Sequence, residues 1–150
     1  MKIILLVLAL SSLFVFSCKN SKNNNQHTEK VEIESTAQVK QVNDSNIIQI
    51  NLKEGRGEAT IYKQENQTVY IQFSSLGYKK IRGVLSSPDS LANIRFSQIF
   101  IPDGSMDGPF GREISYDLPI EGIYKLSVNE NIMAGDPWKG EFVVSIRLYN

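Results

Sequence analysis

The chain has 150 residues, 41% of them hydrophobic, and its 16 basic side chains balance 16 acidic ones. That length holds about one domain, and zero net charge gives no electrostatic footprint for nucleic acid. One cysteine and one histidine exclude an internal disulfide, a cysteine-rich zinc site and most chemistry that sets imidazole beside a nucleophile or a metal, so a binding protein without cofactor is expected rather than an enzyme.

The N-terminus begins Met1-Lys2 and continues from Ile3 to Phe16 with only Ser11 and Ser12 as polar interruptions. This is a charged start, an apolar run of about 14 residues and a small residue at a cut site, too short for the ~20 that a bilayer core requires. Residues 1–17 are therefore expected to be a signal peptide. Val15-Phe16-Ser17-Cys18 resembles the lipobox of bacterial lipoproteins, in which the cysteine becomes the lipidated N-terminus. The resemblance implies that Cys18 is a lipid attachment point, and several acyl chains at ~0.8 kcal/mol per buried methylene hold a protein on a membrane. Lys19 stands where an aspartate would resemble an inner-membrane retention signal, so the expected place is the outer membrane, facing the periplasm or the cell surface.

From Lys19 to about Ser45 the chain is rich in Asn, Lys, Gln, Ser and Glu, and Val31, Ile33, Ala37, Val39 and Val42 stand alone among polar neighbours. Such a stretch buries too little to form a core. Residues 18–45 read as the lipidated cysteine and a flexible tether with a reach of ~30 Å. His27 lies in it, so the part that folds has neither histidine nor cysteine.

Residues 46–150 carry the period-two signal of half-buried strands. Ile48, Ile50 and Leu52 alternate with polar residues, as do Val69, Ile71 and Phe73. Further strands are expected at 57–63, 80–85, 94–100, 113–118, 123–129 and 141–149, separated by turns such as Ser87-Pro88-Asp89, Pro102-Asp103-Gly104 and Asp136-Pro137. Ser86 to Ala92 has room for one helical turn. About eight strands without a long amphipathic helix predict an all-β fold, an antiparallel β-sandwich of jelly-roll type.

The loops carry several acidic and glycine-rich stretches. Asp103 and Asp107, with Asp136 on another loop, are conceivable calcium ligands, but the EF-hand ladder is missing and Asp-Gly pairs build tight turns by themselves. No metal site is assigned. Nothing in the spacing of Asp103, Asp107, Asp117, Glu121 and Asp136 singles out a glycosidase pair. Gly55-Arg56-Gly57 and Gly108-Pro109-Phe110-Gly111 lack the strand–loop–helix context of a phosphate loop. The stretch from Asn129 to Phe142 holds Met133 and the single tryptophan, Trp138, which either caps the sandwich or contributes to a recognition patch.

The C-terminal strands have a recognisable form: Leu118-Pro119-Ile120-Glu121-Gly122-Ile123-Tyr124-Lys125-Leu126-Ser127-Val128, a loop, then Gly140 to Ile146. This resembles a hairpin found in the bacterial pre-peptidase C-terminal domain and in the periplasmic inhibitors of g- and i-type lysozymes. The second resemblance implies a protein-binding sandwich. In those inhibitors a Ser-Gly-x-x-Tyr motif enters the lysozyme cleft; here Glu121-Gly122-Ile123-Tyr124 puts glutamate for serine and the tyrosine one residue nearer. Gly122 and Tyr124 also have a purely structural explanation, as a turn and a core anchor.

The expectation is a membrane-anchored lipoprotein whose sandwich binds or inhibits a macromolecular protein or glycan partner in the envelope, such as a lysozyme, another cell-wall hydrolase or a toxin. Glu121, Tyr124, Arg112 and Trp138 are the candidate partner-binding residues. The alternatives are a carbohydrate- or calcium-binding accessory module and a structural component of the envelope.

Overall fold

In the computed structural model the described residues are 46–150 and the short stretch 39–41; the signal peptide, Cys18 and most of the tether lie outside them. The strands in chain order are β1 (Val39–Gln41), β2 (Ile47–Gln49), β3 (Arg56–Lys63), β4 (Val69–Ser74) and β5 (Lys80–Ser86). They continue as β6 (Arg95–Phe100), β7 (Met106–Asp107), β8 (Glu113–Asp117), β9 (Ile123–Asn129) and β10 (Gly140–Tyr149). All eight expected strands are present. β1 and β7 are additions, β1 within the polar segment and β7 within the glycine-rich loop.

The strands form two sheets, ordered β1-β3-β10-β5-β8 and β2-β4-β9-β6-β7. Apart from the β6–β7 hairpin, each connection from β3 onward passes from one sheet to the other. Alternation explains why the sheets stack: one side of each strand is apolar, and burying it requires a second sheet. Val69, Ile71 and Phe73 of β4 and Tyr124, Leu126 and Val128 of β9 face Ile61 of β3 and Phe142, Val144 and Ile146 of β10. Such side chains each contribute ~1.5–3 kcal/mol on burial.

Two details depart from the sequence reading. β1 and β2 pair in parallel with β3 and β4, so the sandwich is antiparallel except at two outer strands. Ser86–Ala92 forms no helix; the chain leaves β5 through a turn closed by the Ala92 N–H on the Asp89 carbonyl at 3.2 Å. Pro88 and the Asp89 side chain, which accepts from the Leu91 N–H at 2.8 Å, favour that turn over helical continuation.

Strand directions sort the loops between two ends. Loops 75–79, 101–105 and 118–122 share one end with the C-terminus, and loops 64–68, 87–94, 108–112 and 130–139 share the other.

Candidate functional site

At the first end, loop 118–122 is held from beneath. Tyr124 is fully buried, its ring stacked on Phe73 with centroids 5.7 Å apart. Its hydroxyl donates to the Ile120 carbonyl at 2.6 Å and accepts from the Ile120 N–H at 3.3 Å. On the adjacent loop, the Ser75 hydroxyl accepts from the Gly122 N–H at 3.0 Å, and the Ser75 N–H donates to the Gly122 carbonyl at 2.9 Å. Gly122 has φ 152°, and a Cβ there would lie 2.9 Å from the Pro102 ring, so the close approach of loop 101–105 requires glycine. Tyr124 thus offers no surface to a partner. It positions the loop above it.

What the loop presents is apolar with one charge. Ile120, Ile123 and Leu76 are exposed at 38%, 59% and 54%, and Glu121 is exposed among them. Ile123 stands opposite Ser74 on the outer face of the second sheet, two residues before Leu76. Farther along that face the Lys125 ammonium lies 4.9 Å from the Tyr70 ring centre and 4.8 Å from that of Phe100, where cation–π attraction fixes it. Met106 is exposed beside Phe100. A firmly held loop flanked by exposed Ile and Leu side chains suits protein recognition, because little ordering entropy remains to be lost on binding.

The other end holds Arg112 and Trp138, so the structure separates them from Glu121 and Tyr124. The Arg112 guanidinium donates to the Ala92 carbonyl, securing loop 87–94. Trp138 packs against the core, and its indole N–H donates to Asp89 Oδ2 at 2.7 Å. That bond, with the backbone bond from Leu91, holds the Asp89 carboxyl below its ordinary range. Both residues brace loops. Below them lies a buried ion pair, Lys63 with Glu130. The Lys63 ammonium also donates to the carbonyls of Gln64 at 2.8 Å and Trp138 at 3.3 Å, and Glu130 accepts from the Asn66 N–H at 2.9 Å. Burial lowers the Lys63 pKa against the pull of Glu130. Burial alone would raise that of Glu130, but bonds from Lys63 and backbone N–H groups, with the lysine charge, bring it below the ordinary value.

The acidic loop residues do not converge. Asp103 accepts from the Ser105 N–H at 2.9 Å and hydroxyl at 2.6 Å, and Asp107 accepts from the Gly108 N–H at 2.7 Å, while Asp136 lies on a loop at the opposite end. Among the described residues no group of three or more metal-ligating side chains forms. Asp103 and Asp107 serve their own turns.

No family model matches the chain, and no curated protein matches it. Solved structures do. Aeromonas hydrophila PliG, a periplasmic lysozyme inhibitor of g-type lysozyme, aligns over 68% of this chain and 95% of its own with a TM-score of 0.53 and 10% identity. The sandwich shares the PliG fold. Salmonella Typhimurium PliG aligns at 13% identity over 68% of this chain and 96% of its own, with a TM-score of 0.47. A mutant of PliG from Escherichia coli aligns at 12% identity over the same shares, with a TM-score of 0.44. At such identities the likeness to PliG is one of architecture, and function has to be argued from the site.

Sequence reasoning passed over Ile120, Ile123, Leu76, Lys63 and Glu130. Strand parity carries a signal for two of them: Ala59, Ile61 and Lys63 share one face of β3, and Leu126, Val128 and Glu130 share one face of the chain through β9.

Proposed function

We propose that this chain is a lipid-anchored envelope protein whose sandwich binds and inhibits a cell-wall hydrolase, with a lysozyme as the model target. Loop 118–122 makes the contact together with the start of β9 and loop 75–79, Ile120, Ile123 and Leu76 forming the apolar centre and Glu121 the polar edge. The observation that carries this reading is the Tyr124 hydroxyl clamp, which presents the exposed Ile120 side chain on a loop whose Ile120 and Gly122 backbone groups are bonded. The PliG fold supports it, since a protein of that architecture is an inhibitor of g-type lysozyme. Cys18 supplies the anchor, and the residues between it and β1 supply the reach from the membrane to a partner.

The test is inhibition of cell-wall lysis by g-type lysozyme and by a panel of other wall hydrolases, using the full chain in detergent. Saturable inhibition is expected, with Ile120→Asp and Ile123→Asp each weakening it at least tenfold while the melting temperature holds. Absence of inhibition and of complex formation with every hydrolase in the panel overturns the proposal.

A further inference from the structure

The outer face of the first sheet carries a row of like charges. Register places Arg147 of β10 directly opposite Arg56 of β3 on one side and Arg82 of β5 on the other. Three arginines thus stand side by side on neighbouring strands, ~4.8 Å apart by strand spacing, where like charges repel. All three are exposed.

Acidic neighbours neutralise only the Arg82 end of the row. Glu113 binds Arg82 at 2.8 Å, Asp117 lies 4.0 Å from Lys80, and Glu58 accepts from the Ser145 hydroxyl at 2.8 Å. Among the described residues, no acidic side chain pairs with Arg56 or Arg147. Beside the row is an open cavity of about 400 Å³, lined by Arg82, Arg147, Tyr149 and Asn150. A sheet surface that tolerates such repulsion is arranged for something other than its own stability, and guanidinium forks suit phosphate oxygens.

We propose that Arg56, Arg147 and Arg82 dock this face of the sandwich against the phosphates of anionic lipid headgroups. The choice of a membrane rests on the anchor reading: the stretch between Cys18 and β1, with a reach of ~25 Å, keeps the domain close to headgroups, so a weak charged contact suffices to orient it. Each arginine near an anionic surface strengthens such a contact about fivefold. Docked by this face, the sandwich leaves the outer face of the second sheet, with Ile123, Lys125 and Phe100, turned toward a partner.

The experiment uses the mature chain, residues 18–150, with Cys18→Ser, so that neither the apolar leader nor an acyl chain contributes, and sedimentation with vesicles. Expected is binding to vesicles of phosphatidylglycerol mixed with phosphatidylcholine, none to phosphatidylcholine alone, and loss of binding at high salt. Arg147→Gln should weaken binding about fivefold yet raise the melting temperature of the free protein, because it relieves the repulsion; Arg56→Gln is the second variant should the first misfold. Equal binding to both vesicles, no binding to the anionic ones, or unchanged binding in both variants overturns the proposal. Saturable thermal stabilisation by inorganic phosphate without vesicle binding also overturns it, by assigning the row to a free phosphate. Failure here leaves the anchor untouched, since acylation of Cys18 is read separately by fatty-acid labelling.

Discussion

The Tyr124 hydroxyl lies 2.6 Å from the Ile120 carbonyl oxygen and 3.3 Å from the Ile120 nitrogen, so one buried side chain closes both backbone groups of the residue four places before it. The consequence is a loop whose exposed side chains are carried by a backbone that the core holds in place.

Tyr124→Phe keeps the ring on Phe73 and removes only the hydroxyl. Two backbone groups lose their partner, and stability should fall by ~1–2 kcal/mol. If the rigid loop is what the hydrolase meets, affinity should fall several-fold as well, although Tyr124 itself is fully buried. Calorimetry of unfolding and of binding on the same variant measures both; unchanged affinity would mean that the clamp serves the fold alone.

Glu130→Ala leaves the Lys63 ammonium buried without its carboxylate. A cost of ~3–5 kcal/mol is expected, visible as a lower denaturation midpoint. The same pair sets a pH dependence. The Glu130 pKa is below its ordinary 4.5 in the folded chain, so the unfolded chain takes up the proton first as pH falls. The stability from this group is fully present above the ordinary value and is lost as pH falls through the folded one. Glu130→Gln should flatten that acid limb of the stability profile.

Trp138→Phe deletes the indole N–H that meets Asp89 at 2.7 Å. A loss of ~1 kcal/mol is expected from the broken bond. Hydrolase inhibition should not change, because Trp138 braces loops at the end opposite Ile120. A strong loss of inhibition with an intact fold would move the contact surface to the Trp138 end.

Cys18→Ser should abolish incorporation of labelled fatty acid, leaving the melting temperature of the sandwich unchanged. Undiminished fatty-acid labelling of the variant would contradict the anchor.

Much of the fold was legible because period two is a local property. Runs such as Val69–Ile71–Phe73 declare their buried side whatever they pack against, and two such faces have little choice but to stack. β7 was not legible: Met106–Asp107 becomes a strand only because the Asp103–Ser105 turn brings it back against Ile99 and Phe100. The candidate site was legible in part. Glu121 is exposed on the loop, whereas Tyr124, chosen for the same motif, lies beneath it, because odd and even positions of β9 face opposite ways.

By itself, the sequence determined which side of each strand is apolar, where the turns fall and the form of the segment around Cys18, since all three depend on neighbours within a few residues. Tertiary structure alone decided which distant residues meet. Lys63 and Glu130 pair across 67 positions of chain, and Arg56, Arg82 and Arg147 come into one row through the register of β3, β10 and β5. Charges so far apart in sequence interact only after the sheets form, and that assembly separated Trp138 and Arg112 from the loop at Glu121.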